Sequence, residues 1–450
     1  LQLHRQLKKE NCAELFNFKI LYHWWRPAVG GVAVGAAAAL ALSWAARRSR
    51  ARSAPPRDAE THTDGVRALV WNAIGGAMCA AQLYLGDKLE LYATLRALCA
   101  ADAAQYVTVA DLAAASGLDA RWLREWCAQQ AAMGILLMKG GAGEGPMRFR
   151  LPAAHAEVLA DPSSAAYDIA LVQMVPALIE RARATLPECF RTGVGVPYND
   201  VDISDAIDRH HRKHIRDTFF PVVVPSVATA AGEPLLDALA RGIAVAEVGC
   251  GGGNLLIELA TRYPRCEVHG FDVSDEALAI AAANVAASGC SNVFLHDART
   301  EQLDGANSFG AAKRAPFDLV LTFDVLHDAT APGEIVRQVK AALTPDVGVW
   351  LLADINARES VAANVREHPA AATLLSFSIC LCMCSALAST DAAGRPNGAG
   401  LGTLGFTIPV ARALLKKHGF GQVDVVLDGV DNTRWFAATV RAPAPRVVCV

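Results

Sequence analysis

The sequence predicts an α/β protein: a mainly parallel sheet of seven strands in the carboxyl-terminal half, preceded by an all-α and winged-helix region. Short apolar runs alternate with helical segments from residue 241 onward, as in a parallel sheet with crossover helices. The last two runs are joined by a GVDN turn, which predicts an antiparallel terminal hairpin. The predicted strands are Ala244–Val248, Glu267–Phe271, Val293–His296, Leu319–Phe323, Val349–Asp354, Val423–Leu427 and Thr433–Val440.

A glycine-rich turn joins the first of these strands to the next helix. Its pattern is Glu247-x-Gly249-x-Gly251-x-Gly253, and glycines let a ligand approach bare backbone N–H groups at a helix N-terminus. A dinucleotide fingerprint needs a glycine at the sixth position, where this chain has Asn254. A phosphate-binding P-loop ends in Gly-Lys-Ser/Thr, and this turn does not. Neither of these two ligand classes is predicted.

Acidic residues at the strand ends narrow the class of ligand. Glu247 would repel a pyrophosphate, but it suits a ligand that carries an ammonium and a sulfonium group. Asp272 follows the second apolar run, where a carboxylate can accept both hydroxyls of a ribose. Asp297 follows the third, where it could accept a hydrogen bond from an adenine amino group. The three acids together predict a site for a positively charged sulfur nucleoside.

This constellation resembles the class I S-adenosylmethionine-dependent methyltransferases, whose motifs are an E/D-x-G-x-G-x-G loop, an acid ending the second strand and an Asp after the third. The resemblance implies a Rossmann-like seven-stranded methyltransferase sheet and S-adenosyl-L-methionine as cofactor. No metal site is predicted. The alternative is a Rossmann-like fold whose site has decayed. The predicted cofactor site consists of Glu247, Gly249, Gly251, Gly253, Asp272, Val273, Asp297, Ala298, Phe323 and Asp324.

The run FDVLHD after the fourth strand contains the candidate catalytic residues. His327 lies at the carboxyl end of that strand, where a parallel sheet binds its ligands, and its pKa near neutrality suits a general base. The plant-type O-methyltransferases have a similar His-Asp, with the His as base. Asp328 or Asp324 could orient the imidazole, or Asp324 could take the cofactor ammonium. Alternatively, His327 only shapes the site, and proximity alone drives transfer.

The region from 63 to 152 is predicted as a winged helix. Helices over Val66–Leu98 with a break near Gly86 precede a helix-turn-helix and a hairpin. The segments LGDKLELYATL and FRLPAAHAEVLAD are similar to two-domain bacterial methyltransferases related to the plant-type small-molecule O-methyltransferases, a resemblance that covers about Leu85 to Val440. It implies a dimerising or capping domain and a homodimer. DNA binding is the alternative, but the wing has no cluster of Lys or Arg to neutralise phosphates.

Connecting helices are predicted over 153–240, specifically at Ala165–Thr185 and Asp202–Ala230. His211 and His214 lie one turn apart, a spacing that could hold a metal, but neighbouring basic residues favour a solvated helix face. In similar proteins this segment lies over the cofactor. A later insertion is predicted to contain a helix at Ala371–Leu387, and the thiols of its CLCMC run are interpreted as core or pocket lining.

Composition and the first 62 residues bear on partners and location. A net charge of −3 gives no indication of a nucleic-acid partner, and twelve scattered cysteines without zinc-like spacing indicate a reducing compartment. Pro27–Ala46 is an uncharged stretch long enough to span a bilayer as a transmembrane helix. It predicts a single-pass membrane anchor with the catalytic domain, 241–450, in the cytosol. A plastid or mitochondrial targeting segment is the alternative.

The sequence therefore predicts an S-adenosylmethionine-dependent methyltransferase acting on a small, partly apolar acceptor, with oxygen as the first choice of accepting atom. A non-catalytic cofactor-binding sensor or assembly module is the second hypothesis. A winged-helix DNA-binding regulator is the third.

Overall fold

The fold was analysed in a computed structural model, which describes residues 62–100, 105–141, 143–198, 201–303, 305 and 316–440. The predicted membrane anchor or targeting segment at 1–62 lies almost entirely outside the described residues. Within the described ranges, one helix, α1 (Thr63–Lys88), is long and apolar enough to cross a membrane, judged by length and composition alone. It is a different segment from the one the sequence predicts.

The amino-terminal region contains the predicted winged helix. Thr108 and Asp111 form a reciprocal capping box at the start of α3, and Asp119 caps α4. The wing strands form a sheet in the order β1-β3-β2. The elements are α1, α2 (Leu91–Cys99), β1 (Val107–Thr108), α3 (Val109–Ser116), α4 (Ala120–Ala132), β2 (Leu137–Lys139), β3 (Arg148–Arg150) and α5 (Ala153–Leu159).

The break between α1 and α2 lies later than the sequence predicts. The helix continues through Gly86 to Lys88, and the chain turns at Glu90, whose φ of 54° is left-handed. Gly86 has another role, because a Cβ there would lie 2.4 Å from the Tyr92 ring and 2.7 Å from the Trp126 ring. The glycine permits close packing of α1 on the winged helix.

The connecting segments are helical but interrupted. A 3-10 turn (Ala170–Met174) precedes α6 (Val175–Ala184) and α7 (Leu186–Thr192). The long helix α8 (Val201–His214) continues as a π-helix (Ile215–Val223) that contains Pro221, followed by Val224–Ser226. Proline removes a backbone donor, which accounts for the altered helical register.

The prediction that His211 and His214 lie on a solvated basic face is wrong. His214 is 5% exposed and accepts a hydrogen bond from the Trp435 indole at 3.0 Å. The His211 side chain is 20% exposed and lies 3.4 Å from Asp324. The amphipathic helix α8 turns these histidines toward the sheet.

The predicted seven-stranded sheet is confirmed. Its order is β6-β5-β4-β7-β8-β10-β9, with β4 to β8 parallel and β9 and β10 antiparallel. Buried apolar side chains cover both faces of the sheet. The strands are β4 (Ala244–Val248), β5 (Glu267–Asp272), β6 (Val293–Asp297), β7 (Leu319–Phe323), β8 (Val349–Ile355), β9 (Gln422–Val430) and β10 (Thr433–Thr439).

Helices flank the sheet at the predicted positions. The predicted helix in the insertion is α14, which is extended by a π-helix (Ser378–Cys382) and a short turn (Met383–Ala386). The helices are α9 (Leu235–Arg241), α10 (Asn254–Arg262), α11 (Asp275–Ser288), α12 (Pro332–Ala342), α13 (Val361–Glu367), α14 (Ala371–Phe377) and α15 (Ile408–Lys417).

Candidate active site

Three of the predicted acidic residues converge at the carboxyl edge of the sheet. β4 lies between β5 and β7, so Glu247, Asp272 and Asp324 stand at the ends of neighbouring strands. The register places Glu247 opposite Gly270 on one side and Leu321 on the other. In parallel sheets this edge is where ligands bind.

The glycine turn has the backbone conformation that its sequence predicts. Gly249, Gly251 and Gly253 have φ of 74°, 51° and 77°. A Cβ on Gly249 would lie 2.5 Å from Val325, whereas a Cβ on Gly251 would meet nothing within 4 Å. Gly249 is therefore required for packing, and Gly251 faces open space in which a ligand can lie.

Glu247 is a buried acidic residue with one unpaired side-chain oxygen among the described residues. The residue is only 5% exposed, and its Oε2 atom has no hydrogen-bond partner among the residues that the structure describes. Burial, together with the charges of Asp272 and Asp208, raises the pKa of Glu247 well above its usual value. An ammonium group bound here would supply the missing partner.

The two predicted nucleoside-binding acids differ in their surroundings. Asp272 accepts hydrogen bonds from the backbone N–H of Gly251 and of Ser274, both at 2.9 Å, so it holds the glycine turn. Asp297 accepts three hydrogen bonds from Arg299, so its role toward an adenine stays a prediction.

The residues that follow these two acids stand beside them at the strand ends. Val273 is 58% exposed, and Ala298 donates its N–H to the Asp272 carbonyl at 2.8 Å. Their predicted contacts with a nucleoside also stay predictions.

Phe323 and Asp324 link the sheet edge to helix α8. The Phe323 ring lies 4.1 Å from the His211 ring, centroid to centroid. Asp324 has a left-handed φ of 54°, its Oδ2 lies 3.4 Å from His211 Nε2, and its Oδ1 is buried without a partner in the described chain. Backbone strain and an unpaired carboxylate oxygen at one residue are typical of a functional position.

His327 and Asp354 form a buried pair. His327 Nδ1 lies 2.8 Å from Asp354 Oδ1, and the two residues are 2% and 1% exposed. Burial opposes a charge on the ring, but Asp354 and Cys382 together outweigh it and hold the pKa of His327 well above its usual value. The Nδ1–H group donates this hydrogen bond to Asp354, which leaves Nε2 as the proton acceptor.

The hydrogen-bond partner of His327 Nδ1 is neither Asp328 nor Asp324, the two acids that the sequence offered for the orienting role. Asp354, at the carboxyl end of β8, makes the hydrogen bond to His327. The same signal that identified Asp272, an acid ending a parallel strand, could have identified Asp354. Asp208, whose carboxylate would be 2.8 Å from a Cβ on Gly252, was missed, and His211 was placed on a solvated face. In both cases helix α8 meets the sheet only through tertiary packing.

The connecting segments and the insertion meet next to His327. A buried apolar cluster joins Met174 and Leu178 to Ile203, Leu381 and Cys382. Cys382 Sγ, a carboxylate oxygen of Asp328 and a ring nitrogen of His327 lie within 4.8 Å of one another. The prediction that the CLCMC thiols line the core or a pocket agrees with this position of Cys382.

The residues present fit S-adenosylmethionine. The unpaired Glu247 oxygen suits the ammonium group of this cofactor. The open space above Gly251 accommodates the part of the cofactor that lies against the backbone. The carboxylates at the carboxyl edge of the sheet match the net positive charge of the cofactor. No bulky side chain fills the position that a Cβ of Gly251 would take.

Comparison with known sequences gives an independent result. Residues 239–399 match the family model of a methyltransferase domain. The ubiquinone biosynthesis O-methyltransferase of Caulobacter vibrioides is 33% identical over 118 residues, which are 26% of this chain and 42% of that protein. The chain thus matches less than half the length of this curated relative.

Solved structures extend the similarity to the amino-terminal region. Human N-acetylserotonin methyltransferase in complex with S-adenosylmethionine has a TM-score of 0.57 at 16% identity, over 85% of this chain and 99% of that one. An O-methyltransferase family protein from Burkholderia thailandensis has a TM-score of 0.56 at 18% identity, over 85% and 98%. The matched domain contains the glycine turn, the strand-end acids and His327, and the fold extends over nearly the whole of these structures. Residues 239–399 therefore match a methyltransferase domain, and the chain shares its fold with these two solved methyltransferase structures.

Proposed function

We propose that this protein transfers a methyl group from S-adenosylmethionine to an oxygen atom of a small, partly apolar acceptor. The observation that supports this most is the buried His327–Asp354 pair at the same sheet edge as the unpartnered Glu247 carboxylate. One end of the site suits a cation, and the other suits removal of a proton from the acceptor.

Each residue of the pair has a distinct task. When bound, S-adenosylmethionine supplies an electrophilic methyl group on a sulfonium sulfur. His327 Nε2 accepts the hydroxyl proton of the acceptor, which frees an oxygen lone pair for attack. Asp354 keeps the other ring proton on Nδ1 and stabilises the imidazolium that forms.

The side chains next to His327 indicate how apolar the methyl acceptor is. Met174, Leu178 and Leu381 belong to one buried apolar cluster with Cys382, next to His327. Burying an apolar group against such side chains stabilises binding by about 25 cal/mol per Å². We therefore infer an acceptor with a hydrophobic body and a hydroxyl group.

Cofactor binding is tested by calorimetric titration with S-adenosylhomocysteine. Gly251→Ala places a Cβ in the open space above the turn and should weaken binding by about tenfold or more, equivalent to about 1.4 kcal/mol. Gly289→Ala is the matched control, because Gly289 also has a positive φ, 72°, and open surroundings, but it ends helix α11.

The two variants share the backbone strain and differ in the site. Equal affinities for the nucleoside in both, or no heat with the wild-type protein, would contradict the proposal. His327→Ala should abolish most turnover while leaving the nucleoside affinity nearly intact, because His327 serves the acceptor side.

We also propose that the protein is a homodimer through helix α1. Trp71, Ile74 and Met78 are 72%, 49% and 61% exposed, and their i, i+3, i+7 spacing places them along one side of the helix. Covering this surface with a second copy removes it from water.

Membrane association through the first 62 residues remains a proposal as well. Its support is the uncharged stretch from Pro27 to Ala46 with tryptophans before it and arginines after it. Fractionation of the full chain and of a chain starting at residue 62 tests it, since only the full chain should stay with membranes after alkaline extraction.

A further inference from the structure

Three metal-ligating side chains of different chemistry meet on the acceptor side of the site. A ring nitrogen of His327, a carboxylate oxygen of Asp328 and Cys382 Sγ lie within 4.8 Å of one another. The first two follow β7, and Cys382 comes from the π-helix of the insertion. His327 and Cys382 are 2% and 8% exposed, so the group is largely removed from bulk water.

The ligand types select the metal. An imidazole, a thiolate and a carboxylate together suit Zn²⁺ or a similar borderline-soft ion, whereas Mg²⁺ and Ca²⁺ prefer oxygen ligands alone. Three protein ligands with a fourth position open to water or a small molecule is the arrangement of accessible zinc sites.

A further carboxylate already orients the histidine. Because His327 Nδ1 is hydrogen-bonded to Asp354 at 2.8 Å, Nε2 is the nitrogen available to a metal. Zinc-binding histidines almost always donate their second N–H to a carboxylate in this way, which raises the basicity of the ligating nitrogen.

The electrostatics of the group favour a dication. Asp324, His327 and Asp354 also offer atoms within 4.8 Å of one another, so carboxylates lie on both sides of the ring. A bound dication would relieve this accumulation of negative charge.

We propose that His327, Asp328 and Cys382 form a Zn²⁺ site whose occupation withdraws His327 Nε2 from the acceptor. Binding converts the Cys382 thiol to a zinc-bound thiolate and releases its proton to solvent, and no redox step occurs. The proposed metal binding depends only on the three ligands. The resulting inhibition of methyl transfer rests on the proposed function.

Cobalt(II) is the probe, because it replaces zinc and its thiolate complexes absorb in the near ultraviolet. Titration of the reduced, metal-free full chain with cobalt(II) should give a thiolate-to-cobalt absorption band that saturates at one cobalt ion per chain. Added Zn²⁺ should abolish this band. Cys382→Ala should remove the band and weaken Zn²⁺ binding by about 100-fold or more. Cys380→Ala is the matched control, since Cys380 lies on the same π-helix outside the group, and it should keep the band.

A second variant separates this geometry from adventitious thiol binding. Asp354→Asn should weaken Zn²⁺ binding by about 10- to 100-fold, because it replaces the negatively charged partner of Nδ1 with a neutral amide. Cobalt bands of equal intensity in the wild type and in Cys382→Ala would overturn the proposal. Calorimetry with S-adenosylhomocysteine on the metal-free protein distinguishes failure of the metal-site proposal from failure of the proposed function, since loss of the metal site leaves cofactor binding unchanged.

Discussion

Asp354 is the single residue on which the chemistry of His327 depends most. It is 1% exposed, it accepts the Nδ1 proton of His327, and its Oδ1 also accepts the backbone N–H of Ile355 at 2.8 Å. The carboxylate is therefore fixed by the strand end as well as by the ring. A buried, positioned carboxylate of this kind determines the tautomer and the basicity of its histidine.

Asp354→Asn should lower kcat by about 100-fold or more. The amide removes the negative charge that raises the pKa of His327, so the acid limb of the pH–rate profile should move to lower pH. The rate rises with pH through that pKa, because only the unprotonated ring accepts the acceptor's proton. Asp237→Asn, on an exposed position of α9, is the control and should change neither kcat nor the profile. An unchanged acid limb in Asp354→Asn would show that His327 is not the base.

Asp328 makes the stability of the protein depend on pH. Burial is the main cause that raises its pKa from 3.8 to about 7. Between these values the folded chain holds a proton that the unfolded chain has released, so this carboxyl lowers stability as pH rises through that window. The loss is complete above pH 7.

Asp328→Asn should therefore remove this pH dependence. The free energy of unfolding of the variant, minus that of the wild type, should increase from pH 4 to pH 7 by up to about 4 kcal/mol, at about 1.4 kcal/mol per pKa unit. Urea unfolding of the cofactor-free protein at several pH values measures this difference. Parallel stability curves would mean that Asp328 is solvated in both states.

At the scale of elements, helix α1 contains a matched pair of glycines. Gly86→Ala should destabilise the protein by about 1–3 kcal/mol, because its Cβ would overlap the Tyr92 and Trp126 rings. Gly75→Ala, in the same helix with nothing within 4 Å, should stabilise it by about 0.5–1 kcal/mol. Denaturant unfolding of both variants gives the comparison, and a shift of the same sign in both would contradict the observed packing of α1.

The strands were predictable because their signals are local. Each parallel strand is a short apolar run bounded by a glycine or an acid, and β4 and β7 have the predicted limits. The π-helix over Ser378–Cys382 was not predicted, because the apolar pattern of the sequence does not distinguish it from an α-helix. The π-helix over Ile215–Val223 was missed although Pro221 indicates an interrupted helix. The turn at Glu90 was also missed, because its left-handed backbone conformation occurs at a residue that is not glycine.

The site itself was only partly predictable. Glu247 and Asp272 stand beside a recognisable glycine turn, so sequence order alone located them. The partnership of His327 with Asp354 joins residues 27 positions apart on two strand ends, and the sequence offered nearer acids that competed for the same role. The contact of His211 with Asp324 depends on the docking of helix α8.

At the scale of the whole molecule, the apolar side of α1 is an exposed hydrophobic surface of the part of the amino-terminal region that the structure describes. Trp71→Glu should weaken self-association, because it places a charge in the centre of the proposed dimer interface. Sedimentation velocity over a range of protein concentrations measures this. Trp122→Glu, which alters a 79% exposed tryptophan on α4, is the control and should sediment as the wild type does. If Trp71→Glu also sediments as the wild type does, α1 is not the interface.

The most direct test of the central claim is a crystal structure of the protein with S-adenosylhomocysteine. The account predicts the amino group of the ligand on the Glu247 carboxylate, its backbone-close portion above Gly251, and its sulfur facing the His327 ring across a space that one small acceptor can fill. A nucleoside bound elsewhere, or a sulfur separated from His327 by packed side chains, would contradict it.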